Sequence, residues 1–110
     1  MSEVRDPNKA VDYILQNAPK FAEARATRVY LEEFRKSKKA LLMKESAESS
    51  AVGQERDAYA HADYIALLDG LRAAVEQEET LRWQLVAAQA RVEIWRTQEA
   101  SNRAQDRAVR

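Results

Sequence analysis

Cysteine is absent from this chain, and 110 residues contain only two glycines, two prolines and one histidine. Without cysteine there is no disulfide, no thiolate metal site and no thiol nucleophile. Two glycines cannot supply a phosphate-binding glycine loop, a nucleophile elbow or a dinucleotide fingerprint. The single histidine, His61, has no pocket or orienting partner in view, so it reads as a polar turn residue and not as a general base. Glu76, Glu78 and Glu79 lack the Glu-x-x-His pair that would complete a carboxylate metal site in a helical bundle. No metal, no cofactor and no enzymatic activity are therefore expected. Long apolar runs are missing as well: no strictly aliphatic stretch exceeds about four residues, which excludes a membrane-spanning helix and the core of a signal peptide. The expectation is a soluble, cytoplasmic protein.

What is present is helix-forming sequence. After residue 19 the chain is rich in Ala, Leu, Glu, Gln, Arg and Lys, the residues that lose least on entering a helix. Charge is abundant and balanced, with 18 basic and 18 acidic residues, but it is unevenly placed. Lys20 to Lys44 holds eight Lys or Arg against three Glu, whereas Glu45 to Glu79 holds nine acids against two Arg. One end of that stretch suits an anion, or the acidic end of a neighbouring copy.

The turn signals predict an all-α, coiled-coil-like single domain over residues 1–110: a short N-terminal helix followed by a long antiparallel helical hairpin, assembled as a homo-oligomer. Asp6 before Pro7 starts a helix over 7–16, because a carboxylate caps well and proline is harmless at the first helical position. Asn17-Ala18-Pro19 ends it, since the residue before proline is pushed out of the helical region. The second helix is expected over 19–59, with an apolar stripe of Tyr30, Phe34, Leu41, Val52 and Tyr59 and with Leu31 and Leu42 alongside. It continues through Gly53 at a cost of about 1 kcal/mol relative to alanine. The turn falls at 60–63, with Asp63 as cap, and the last helix runs over 64–107. A turn at 49–53 has better loop composition but leaves arms of unequal length.

That last helix is apolar on two sides. One stripe is Tyr64, Leu67, Leu71, Ala74, Leu81, Leu85, Ala88, Val92 and Trp95, in 3,4 alternation broken only at Glu78. The second, Ile65, Leu68, Val75, Trp83, Val86 and Ile94, lies a third to a half turn away. Two apolar faces imply two partners. The first is assigned to the preceding helix, and Trp83, Val86, Ile94 and Trp95 are the expected oligomer interface.

Arg25, Arg28, Arg35, Lys36 and Lys39 share one arc of about 100° on the second helix, a layout that can track phosphates by salt-sensitive, sequence-independent contacts. Lys38 falls in the apolar stripe, where its stem packs and its ammonium reaches outward. A second row, Arg96, Arg103, Arg107 and Arg110, continues the line of Arg82. The same arcs also suit ordinary solvated helix faces or pairing with acids such as Glu78 and Glu99. The tyrosines read as packing residues, so any nucleic-acid binding is expected to rest on phosphates.

The stretches Tyr30 to Met43 and Thr80 to Thr97 resemble the UvsY-type phage recombination mediators, in which a basic helix with a tyrosine precedes a turn and a helix opening Ser/Thr-Leu-x-aromatic. The resemblance covers residues 26 to 103 in pattern. It implies a phage or prophage accessory factor in the host cytoplasm, an oligomer that binds single-stranded DNA and works with a recombinase or single-strand-binding protein. Matched by position, the basic residues are Arg35, Lys36, Lys38, Lys39 and Lys44. The chain departs from that pattern in its shorter length, its lack of a glycine-rich connection and its zero net charge. The other expectation is a non-enzymatic interaction module that inhibits a host nuclease or defence complex through the acidic stretch Glu45 to Glu79.

Overall fold

A computed structural model describes residues 6–109. Among them are three helices and no strand: α1 (Pro7–Glu45), α2 (Ala51–Ala60) and α3 (Ala62–Ala108). They form two compact units, a central one of Ala22–Glu79 and a terminal one that joins the chain up to Phe21 to the chain from Thr80 onward. Helices α1 and α3 each contribute a segment to both units.

The start of α1 is as the sequence predicts. Asp6 Oδ1 accepts from the Asn8 N–H at 2.9 Å, and the Asp6 carbonyl accepts from the Ala10 N–H at 3.2 Å. The expected break at Asn17-Ala18-Pro19 does not occur, and Pro19 lies inside α1. An internal proline removes the bond to the carbonyl four residues back, a loss of about 3 kcal/mol. Here that carbonyl belongs to Leu15, an exposed residue, where water can serve it. On the opposite side the buried and half-buried residues Ile14, Asn17, Phe21 and Ala24 keep helical phase across the proline. Packing therefore outweighs the local signal, and there is one helix where two were expected.

The opposite correction applies further on. The helix expected over 19–59 is interrupted at 46–50, near the earlier of the two turns considered. Ser46 Oγ accepts from the Glu48 N–H at 3.1 Å and donates to Asp57, so the chain leaves α1 with its polar groups occupied. Ser50 then caps α2, its hydroxyl accepting from the Gly53 N–H at 3.0 Å. Gly53 is buried, and a Cβ there would lie 2.9 Å from Glu48 Cβ. Glycine is needed because the connection folds closely over it, not as an indifferent helix interior. Gly70 has open space around the missing Cβ.

The later turn is real but minimal. His61 alone separates α2 from α3, which begins at Ala62 and not at Tyr64. The cap is His61 and not Asp63: the imidazole Nδ1 accepts from the Asp63 N–H at 3.0 Å.

Both units are held by a 3,4 seam. In the central unit α1 turns inward Ala24, Arg28, Leu31, Arg35, Lys38 and Leu42, and α3 turns inward Tyr64, Leu67, Leu71, Ala74 and Glu78. The ion pairs Lys38–Asp63, at 3.7 Å, and Arg28–Glu78 fix an antiparallel arrangement. In the terminal unit the inward residues are Ala10, Ile14, Asn17 and Phe21 with Leu81, Leu85, Ala88 and Val92, and Tyr13 Oη donates to Gln84 at 2.8 Å. The first stripe predicted for the last helix is thus the packed one, apart from Trp95, which is exposed. The stripe predicted for the second helix is corrected. Tyr30, Leu41, Val52 and Tyr59 are all exposed, and the inward face is carried by Leu31 and Leu42 with three cations between and beside them. No helix among the described residues is long and apolar enough to cross a membrane.

Candidate nucleic-acid interface

The five cations predicted to share one arc, Arg25, Arg28, Arg35, Lys36 and Lys39, are not equally solvated. Arg28 belongs to the seam. Its guanidinium donates through Nη2 to Glu78 Oε1 at 3.0 Å and through Nε to Glu78 Oε2, and it also donates to Glu32 at 3.0 Å. Glu78, 7% exposed, is the buried charge among the described residues, and the fork of Arg28 supplies the planar, two-bond partner that a buried carboxylate requires. The hydrogen bonds to Glu78 push the Arg28 pKa above its ordinary value. Arg28 is therefore a structural residue and is withdrawn from the phosphate-contacting set.

Lys38 is half-buried, with its ammonium drawn out to Asp63, which matches the expectation that its stem packs and its head emerges. Arg25 and Lys44 are exposed and have no ion pair among the described residues. The remaining three converge. Arg35, Lys36 and Lys39 line an open groove of about 650 Å³ in the central unit, together with Ala40, Met43, Tyr59 and Tyr64. The first five come from the C-terminal half of α1, the two tyrosines from α2 and the start of α3.

No carboxylate among the described residues lines the groove itself, although Lys36 and Lys39 each have one nearby. Arg35 is a seam residue by phase and half-buried, yet it has no carboxylate partner among the described residues. Lys36 approaches Glu33 at 3.4 Å, but both side chains are about 70% exposed, so the pair is weak and easily given up. Lys39 is the restrained one. Its ammonium lies 4.7 Å from the centre of the Tyr59 ring and 3.3 Å from Glu55. Hydrogen bonding to Tyr59, reinforced by Glu55, raises the Lys39 pKa.

The aromatic wall was not recognised from sequence, where the tyrosines read as packing. Tyr64 is packed, 7% exposed in a cluster with Leu42 and Ala58, and Met43 lies against that cluster. Tyr59 is different: it stands edge-on to Tyr64, with ring centres 5.3 Å apart, and is 44% exposed. The one signal available in the chain was its position at the last turn before His61, five residues from a second tyrosine.

Four of the nine acids of the acidic stretch are engaged within the central unit. Glu55, Asp57, Asp63 and Glu78 are engaged by Lys39, Ser46, Lys38 and Arg28 respectively. In the terminal unit, Trp83, Val86, Ile94 and Trp95 are exposed, with the Arg82 guanidinium 4.6 Å over the Trp83 ring. From Glu93 to Val109 every residue except Glu99 is exposed. Arg103 and Arg107 have no ion pair there, Arg96 meets Glu93 at 3.2 Å, and Arg110 lies outside the described residues. No cluster of metal-ligating side chains occurs among the described residues. Comparison of the chain with known protein families, with curated proteins and with solved structures finds no match.

Proposed function

We propose that this protein is a non-enzymatic, self-associating factor that binds single-stranded DNA through the central unit and serves DNA recombination as an accessory, in the manner of the phage mediators it resembles. The observation that carries the reading is the convergence of Arg35, Lys36 and Lys39 on a groove with no carboxylate in its lining. Such a site attracts a polyanion and reads no sequence. Each copy offers few free cations, so useful affinity comes from several copies engaging one strand together. The exposed apolar residues Trp83, Val86 and Ile94 supply a face for that self-association, being larger and more apolar than a solvated helix side needs. The rival reading, an inhibitor acting through the acidic stretch, loses Glu55, Asp63 and Glu78, which are paired with cations of α1.

Light scattering combined with a salt titration of single-stranded DNA binding tests both parts. The expected result is a mass above that of one chain and an affinity whose logarithm falls linearly with the logarithm of salt concentration. Reversing the exposed cations, Arg25→Glu with Lys36→Glu and Lys44→Glu, makes that slope shallower by about 0.7 for each phosphate the variant no longer neutralises. A monomer at all concentrations refutes self-association, and no binding at low salt refutes the DNA reading.

A further inference from the structure

The groove has a second character that phosphate binding does not use. Its lining joins the cations Arg35 and Lys36, on adjacent positions of α1, to an apolar and aromatic wall made by Ala40 and Met43 of the same helix and by the partly exposed Tyr59. A bare anion would leave that wall unsatisfied. Duplex DNA presents phosphates but keeps its base faces in the stack, and a sulfated sugar has no flat apolar face to offer. A ligand with a charged end and a flat end, in a space of about 650 Å³, fills both sides.

We propose that the groove seats one unpaired nucleotide of a DNA single strand, with the base stacked on Tyr59 and its phosphate held by Arg35 and Lys36. The proposal rests on the strand-binding reading above and goes beyond it by assigning a base contact. Tyr59 is prepared for the role. Tyr64 abuts its ring edge-on, and Lys39, itself tied to Glu55, lies over one ring face, so the side chain is held in place before any ligand arrives. Lys39 is accordingly a positioning residue, and Arg35 and Lys36, with no strong partner of their own, are left to the phosphate. Stacking is tolerant of base identity because every base has a π-face, so the seat discriminates unpaired from paired strands and not one sequence from another.

The test compares a thymidine oligonucleotide with an abasic oligonucleotide of equal length and charge, read by fluorescence anisotropy against the full-length protein. The wild type is expected to bind the thymidine strand about tenfold more tightly. Tyr59→Leu removes most of that preference and leaves the salt slope unaltered, whereas Tyr59→Phe keeps it. Equal affinity for the two strands in the wild type overturns the base seat while the strand-binding reading stands, and this comparison needs no variant to fold. Equal competition by a duplex of the same length also overturns it. Absence of binding to either strand overturns both readings together.

Discussion

The two units are built on the same 3,4 seam between α1 and α3, yet they fill it differently. In the terminal unit the seam is Ala10, Ile14, Phe21, Leu81, Leu85, Ala88 and Val92, with Asn17 the one polar member. In the central unit three of the six positions on α1 are Arg28, Arg35 and Lys38, and α3 answers with Glu78. The first seam is a device for burial. The second gives up apolar area for charges, of which Arg28 and Lys38 pair with acids of α3 and Arg35 lines the groove. A misregistered pairing would set Arg28 and Glu78 against leucine, leaving each without its partner. The charged seam is thus the specific half of the molecule and the apolar seam the adhesive half.

The comparison is broken most sharply by Leu81→Ala in the adhesive half. Leu81 is 8% exposed, and its truncation is expected to cost about 3 kcal/mol by chemical denaturation, as buried leucines do. Next is Glu78→Ala, which leaves Arg28 in the seam without its fork partner. It lowers the melting temperature, and the double variant Arg28→Met with Glu78→Leu recovers it, because a well-packed apolar pair replaces an ion pair with little net loss. Failure of the double variant to recover would mean that the pair stabilises more than an apolar seam can. The smallest effects come from the two glycines of the central unit, and they have opposite signs. Gly53→Ala forces a methyl against Glu48 and Ser50 and destabilises by about 1 to 2 kcal/mol. Gly70→Ala meets nothing and stabilises by up to about 1 kcal/mol. Thermal melts of the pair read both.

These contrasts also explain what could be read in advance. The packed stripe of α3 was legible because large residues occupy it at helical spacing, and the break at Glu78 marked the buried ion pair. The inward face of α1 was only partly legible, since Ile14, Phe21, Leu31 and Leu42 alternate on it with Ala10, Asn17, Ala24, Arg28, Arg35 and Lys38, which carry no apolar signal of size. Bulk pointed instead to Tyr30 and Leu41, which face water. Pro19 and Gly53 misled for a related reason, as each is decided by what packs on it and not by its local preference. At the candidate site the cations were visible as a run, but their sorting depends on partners far along the chain: Glu78 and Asp63 on α3 for Arg28 and Lys38, and Glu55 and Tyr59 on α2, which periodicity alone merged with α1, for Lys39.

The stretch of α3 from Glu93 to Ala108, exposed at every position but Glu99, makes the molecule its own gauge of assembly. A helical segment without a packed face opens at little free-energy expense, so its backbone amides exchange with solvent deuterium far faster than those near Leu81. Docking of a second copy over Ile94 and Trp95 would slow that exchange as protein concentration rises. The exchange rate of that helix end would therefore serve as a direct test of the proposed self-association.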